Sequence, residues 1–304
     1  MQRKALWASV VGVVALAIAA GQAQQMQEDY LDVLTVQVKP EKRAEFDALT
    51  KKMAAANRQN HGDIWLAMET AYGPGNRVTF ISTRHSYAEV EKATAIFNEA
   101  LEKTYGKAAA DKMEQDFNQC IVSSRGEFRR RRWDLSSNAP ADAAAYSKLI
   151  GETRWLRTTV VSLKPGQVAS FEALAKDVKA ARDKSSPAQT VFVSQAVAGQ
   201  EGTVFYVTTL QNSLAGFDNL PSLPQMLGDE GYQKFLKTNA EAISGTETVI
   251  NRFLPEISNA PEQVVAVAPD FWRPKAAINA KAHAGKSPAV PASTTKKIEE
   301  KPQQ

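Results

Sequence analysis

Val36-Gln37-Val38-Lys39-Pro40-Glu41-Lys42-Arg43-Ala44-Glu45-Phe46-Asp47-Ala48-Leu49-Thr50-Lys51 returns 125 residues later as Val161-Ser162-Leu163-Lys164-Pro165-Gly166-Gln167-Val168-Ala169-Ser170-Phe171-Glu172-Ala173-Leu174-Ala175-Lys176. Both stretches read as a strand, then Lys-Pro, then Ala-x-Phe-x-Ala-Leu-x-Lys. The same offset pairs Val78-Thr79-Phe80-Ile81-Ser82-Thr83 with Thr203-Val204-Phe205-Tyr206-Val207-Thr208. Near the repeat ends, Trp133-Asp134-Leu135-Ser136 resembles Leu254-Pro255-Glu256-Ile257-Ser258 after a few residues of slippage. Three blocks in one order point to a duplication, and the repeat unit sets the architecture.

Working outward, residues 30–38 are β-rich and half alternating, which predicts a strand. Pro40 sits where proline suits a helix start. Phe46, Leu49, Met53 and Ala56 then follow at helical spacing, with Phe171, Leu174 and Val178 as their counterparts. Residues 64–72 and 77–83 form a hairpin around Gly73-Pro74-Gly75-Asn76, and residues 189–198 and 203–210 do so around Gly199-Gln200-Glu201-Gly202. Helical segments follow at about 87–105 and 108–121, then at 214–219 and 232–242, and closing strands at about 127–133 and 246–254. The order is β-α-β-β-α-β, twice. It predicts an α+β fold of two tandem ferredoxin-like repeats packed sheet to sheet as an intrachain α+β barrel. The expected domains are a signal peptide over 1–23, repeat one over 28–137, a linker over 138–153, repeat two over 154–258, and a disordered Ala/Pro/Lys-rich tail over 259–304.

On this element order, repeat length and strand–Lys-Pro–helix opening, the unit resembles the dimeric α+β barrel superfamily, which includes antibiotic-biosynthesis-monooxygenase-like and NIPSNAP-like domains. The resemblance spans about residues 30–258. It implies that two units pair, in most members as a homodimer and here within one chain. Members include monooxygenases, heme-degrading enzymes, isomerases and chlorite-decomposing enzymes, so the fold selects no chemistry.

The two ends and the body differ in kind. Arg3 and Lys4, an uncharged apolar run over 5–20, and Gly21-Gln22-Ala23 have the three parts of a secretory signal. Sixteen apolar residues fall short of the roughly 20 that a membrane span needs; an uncleaved anchor is the alternative. The expectation is a periplasmic or extracellular protein with no stable membrane insertion after cleavage. Cys120 is the single cysteine, which excludes an intrachain disulfide and leaves stability to the core. The tail lacks sustained periodicity and carries one aromatic spot, Phe271-Trp272, expected to pack back onto the domain. Although the pI is near 9.0, residues between the signal and the tail carry 28 basic and 29 acidic side chains. The body is near neutral, and no basic stripe interleaved with aromatics marks a nucleic-acid surface.

Candidate chemistry is sparse. The three histidines are His61, His85 and His283. His61 lies in a polar helix-end loop where a C-terminal cap is the plain explanation, and His85 ends the third strand of repeat one. Heme-degrading relatives use an axial histidine, so the resemblance makes each of these two a conceivable iron ligand; no cofactor is predicted otherwise. Metal-ligand spacings, Gly-x-Ser-x-Gly elbows and phosphate loops are missing from the sequence, and Cys120 reads as a buried inert thiol. The run Arg129-Arg130-Arg131-Arg132-Trp133 splits on a strand into Arg129/Arg131 and Arg130/Arg132. One pair reaches the barrel interior, where it could hold a carboxylate or phosphate; ion pairing with acids such as Glu69 or Glu127 is the alternative. With strand aromatics added, the ligand-binding candidates are His61, Trp65, His85, Arg130, Arg132 and Tyr206.

Three functions compete. The first is binding of a small apolar or anionic ligand, or of a protein partner, without catalysis. The second is an oxygenase or heme-interacting enzyme of the superfamily's kind. The third is attachment of the tail to an anionic envelope polymer. The chain is expected to act as a monomer with an internal pseudo-dimer, or to pair further as a homodimer.

Overall fold

The computed structural model describes residues 29–274 of the 304-residue chain. The expected signal segment and the part of the tail beyond Pro274, His283 included, lie outside the described residues. The first unit runs β1 (Tyr30–Val38), α1 (Arg43–Gln59), β2 (Leu66–Tyr72), β3 (Arg77–Arg84), α2 (Ala88–Tyr105), α3 (Lys107–Cys120) and β4 (Ile121–Arg131). Helix α4 (Ala143–Glu152) leads into the second: β5 (Trp155–Leu163), α5 (Val168–Asp183), β6 (Val191–Ala198), β7 (Val204–Gln211), α6 (Leu223–Ala242) and β8 (Ile243–Phe253). Two short helices follow, α7 (Glu262–Val267) and α8 (Pro269–Trp272).

All eight strands close into one antiparallel barrel in the order β1-β3-β2-β8-β5-β7-β6-β4. Within each unit the first strand lies between the third and fourth, as Val33 opposite Ile81 and Glu127, and Thr158 opposite Thr208 and Val249. Two seams join the units, β2 to β8 and β4 to β6, so each sheet's edges are covered by the other's. Helices clothe the outside. Val36 and Val38 of β1 pack with Phe46 of α1 and Cys120 at the end of α3. The same layer in the second unit joins Val161, Leu163, Phe171 and Phe205.

The shared Lys-Pro opening has a physical role. Lys39 Nζ donates to the Gln119 carbonyl and Lys164 Nζ to the Ala240 carbonyl, each at 2.8 Å. Each lysine thus places a cation on the orphan carbonyls that end the helix before the closing strand. Pro40 begins a 3-10 turn ahead of α1 rather than the helix itself. Between the third and fourth strands each unit bends its helical segment at a glycine of positive φ: Gly106 (+81°) separates α2 from α3, and Gly228 (+67°) kinks α6.

Serines fasten the seams. Ser136 Oγ donates to the Arg132 carbonyl and accepts from the Val193 amide. Ser258 Oγ donates to the Leu254 carbonyl and accepts from the Ala67 amide. Each therefore ties the end of one unit's closing strand to the second strand of the other.

Two expected boundaries need correction. The linker over 138–153 contains α4, capped by Asp142 Oδ1 accepting from the Ala145 amide at 2.8 Å. The disordered tail does not begin at 259, because residues 262–267 and 269–272 are helical and Trp272 is 1% exposed. Trp272 donates its indole N–H to the Gly151 carbonyl of α4 at 3.1 Å and packs on Phe253. Helices α4, α7 and α8 together stop one end of the barrel, in a core that joins Ile150, Val264 and Trp272 to Leu156, Phe192 and Phe253. Helices α7 and α8 are too short to show a period, and burial against the barrel end is what folds them.

Candidate functional site

The barrel is hollow. A cavity of about 780 Å³ runs through it, walled by side chains from all eight strands and from α2, α4 and α7. Strand alternation sorts the wall. On β4 the inward positions are Ser123, Arg125, Glu127, Arg129 and Arg131, and on β8 they are Glu247, Val249, Asn251 and Phe253. The wall changes character along its length. At one end Gln37, Arg77, Ser123, Arg125 and Glu247 stand where β4 and β8 are exposed, so that end is polar and open. Towards the other, Met68, Leu156, Leu210, Phe253 and Ile150 make an apolar floor beneath α4 and α7. Hydroxyl pairs on adjacent strands line the middle of the wall, Thr35 with Thr79 at 3.2 Å and Thr158 with Thr208 at 3.0 Å.

A buried polar cluster sits on one wall. The Glu127 carboxylate, 5% exposed, accepts from Tyr206 Oη at 2.5 Å, Arg129 Nε at 2.8 Å and Gln200 Nε2 at 2.9 Å. The Arg129 guanidinium lies 3.5 Å over the Tyr206 ring. Burial pushes the Tyr206 phenol well above its usual range, against the pull of Arg129, and the Glu127 hydrogen bond adds to the rise. Tyr206 is therefore a neutral O–H donor at physiological pH. One residue pair further on, Arg131 is 9% exposed and gives a 2.6 Å hydrogen bond from Nη2 to Tyr146 Oη.

The sequence-based candidates divide. Tyr206 lines the cavity, and Trp65 borders it while donating its indole N–H to the Ile257 carbonyl at 2.8 Å. Arg130 and Arg132 do not reach it. The register of β4 puts Arg129 and Arg131 inside, and Arg132 outside, bonded to Asp134 at 2.7 Å and Glu172 at 2.5 Å. Arg130 faces Gln195. The ion-pair reading holds for Arg129 with Glu127, whereas Glu69 pairs with Arg43 and Arg252.

His61 is exposed at φ +51° just past α1, the cap position its loop suggested. His85 is 54% exposed and meets Asp29 at 2.9 Å. Neither histidine lies on the cavity wall. The wall thus lacks the imidazole that the resemblance would require for heme, and its phenol Tyr206 is held protonated, so these residues do not fit an axially ligated heme. Among the described residues, no group of three or more His, Cys, Asp and Glu could hold a metal ion. Cys120 is fully buried and its burial raises the thiol's pKa, so it is inert.

Sequence reasoning missed Glu127, Arg129 and Arg131 as an inward set, because alternation separates two faces without saying which is the interior. It also missed Tyr146 and Ile150, whose i, i+4 spacing in 143–152 was the available helical signal.

Among comparisons with known proteins, no family model and no curated protein matches the chain. Solved structures align with the chain at low identity. An anthrone oxidase-like protein is 15% identical, with 76% of this chain and 93% of that one aligned at a TM-score of 0.48. A monooxygenase-like protein of Lactobacillus acidophilus is 9% identical over 77% and 98%, also at 0.48. A variant of chlorite dismutase from Candidatus Nitrospira defluvii is 9% identical over 79% and 95%, at 0.45. The α+β barrel of two ferredoxin-like units stands on this chain's own strand order and registers.

Proposed function

We propose that the chain is an exported small-molecule-binding barrel that builds within one polypeptide the enclosure formed by two units. The observation that carries this reading is the cavity of about 780 Å³ inside the barrel. Its size is within the roughly 300–1,000 Å³ usual for ligand pockets, and it combines an apolar floor with a few placed polar groups. A barrel that served only as scaffold would fill such a space with side chains, because buried voids are costly. Binding needs no acid–base or metal constellation, which agrees with the sparse chemistry of the sequence.

A second reading, a cofactor-independent oxygenase, draws on the Tyr206–Glu127 pair at the wall. A neutral phenol donor beside a buried carboxylate can hold or pass a proton at Tyr206 Oη, as abstraction from an activated carbon acid requires.

One pair of proteins tests both. Thr208→Trp places an indole across the middle of the cavity. The parent is expected to show thermal shifts with members of a small-molecule library, and the variant to lose them while keeping its circular dichroism. A library that shifts neither protein, or both equally, overturns the binding reading. Oxygen uptake with dithranol as substrate, present in the parent and abolished in the variant, would select the oxygenase.

A further inference from the structure

Arg131 is a buried cation with no buried anion. The residue is 9% exposed, its Nε has no hydrogen-bond partner, and its single side-chain hydrogen bond goes to the Tyr146 hydroxyl. Rings surround it, with Trp133, Tyr146 and Phe192 at 5.3, 5.2 and 5.5 Å from the guanidinium carbon. Cation–π contacts of this length compensate in part, but they supply no opposite charge. No carboxylate among the described residues forms an ion pair with Arg131, whereas Arg129, two positions earlier, has Glu127 at 2.8 Å.

The fold does not need an arginine here. In the two units' matching registers Leu31 faces Arg129 and Leu156 faces Asn251, so the position equivalent to Arg131 is Phe253. The same counting sets Glu127 against Val249. At these three positions one closing strand carries Glu, Arg and Arg, whereas its counterpart carries Val, Asn and Phe and keeps its inward charge, Glu247, for the open end. The imbalance extends over the whole wall, which has five arginines (Arg77, Arg84, Arg125, Arg129, Arg131) against three carboxylates (Asp63, Glu127, Glu247). A cavity with surplus positive charge and an unpaired guanidinium at its apolar end is complementary to an anion with an apolar body.

We propose that the cavity takes a small organic carboxylate, its carboxylate on the Arg131 guanidinium and its apolar or aromatic body along Met68, Leu156, Leu210 and Phe253. This deepens the binding reading and rests on it. The guanidinium's free donors match a carboxylate's planar pair of acceptors, and the neighbouring rings keep water from competing. Arg125 stands six residues earlier on β4, roughly 20 Å away along the strand, at the exposed end, where it would meet an anion on its way in.

The test uses 2-naphthoate and its neutral isostere 2-naphthamide, titrated by calorimetry into the full chain and into Arg131→Gln. The parent is expected to bind naphthoate at least tenfold more tightly than the amide, and Arg131→Gln to bind the two alike. Because the substitution removes an uncompensated buried charge, the ligand-free variant is expected to melt no lower than the parent, which separates loss of binding from loss of fold. Equal binding of both probes by the parent overturns the carboxylate assignment and leaves the binding barrel standing. Failure of both probes to bind the parent overturns the assignment, and Thr208→Trp with the wider library then decides the binding reading. A retained naphthoate preference in Arg131→Gln also overturns it.

Discussion

Glu69 shows how single residues hold the two units together. It lies on β2 and accepts from Arg43 of α1 at 2.7 Å and from Arg252 of β8, so one carboxylate links both units across a seam. Burial alone would raise its pKa, but the hydrogen bonds and charges of the two guanidinium groups outweigh burial and hold the carboxyl below the usual range. A carboxyl depressed on folding adds stability that is present above the unfolded pKa of about 4.3 and is lost as pH falls through the folded value. Glu69→Gln should therefore lower stability by about 1 kcal/mol at pH 7, with Arg252's exposure keeping the figure small. In urea titrations the gap should close below about pH 4; a gap independent of pH would mean that charge is not what the residue contributes. That such a residue is charged was legible in the sequence, but its partners were not. Arg43 is 26 positions away and Arg252 is 183, and only the closure of the barrel brings them together.

Elements that bury a periodic face over several turns were readable, whereas those that bury one residue against a remote surface were not. Helix α5 shows Phe171, Leu174 and Val178 on its inner face, the three positions its spacing marks. Helix α8 has four residues and is held by Trp272, whose ring is enclosed by Phe253, Phe271 and the backbone of α4. Nothing local to a four-residue helix could stabilise it. The preceding helix α7 is set close against α4 by Gly151, where an added Cβ would stand 2.5 Å from the Val267 side chain. Removal of the indole empties the centre of this stopper. Trp272→Ala should cost about 3–5 kcal/mol in chemical denaturation, the range for a fully buried large aromatic. A loss below about 1 kcal/mol would show that α8 rests on the barrel without supporting it.

At the scale of the whole molecule, the barrel can be read from the duplication, but its hollowness cannot, since volume depends on which inward residues meet across the axis. The interior also distinguishes the two halves, and this leads to a prediction about assembly. Cleaving the chain between Pro140 and Ala141 yields one fragment with β1–β4 and another with α4, β5–β8 and α7–α8. Each fragment alone bares two strand edges and the inner face of its sheet, so neither should persist as a soluble monomer. A homodimer of the first fragment would close the same barrel but bring two copies of Arg131 into one cavity, each without a carboxylate. The mixed pair contains one Arg131, places Phe253 at the equivalent position, and restores both seams with the α4–α7 contact contained in the second fragment. Separately refolded fragments should thus precipitate or form weak dimers. Refolded together they should give a one-to-one complex by light scattering, melting in a single transition near that of the intact chain. A first fragment that is folded and monomeric at micromolar concentration would overturn this account. Arg131→Met in that fragment should stabilise its homodimer, which ties the choice of partner to the charge in the cavity.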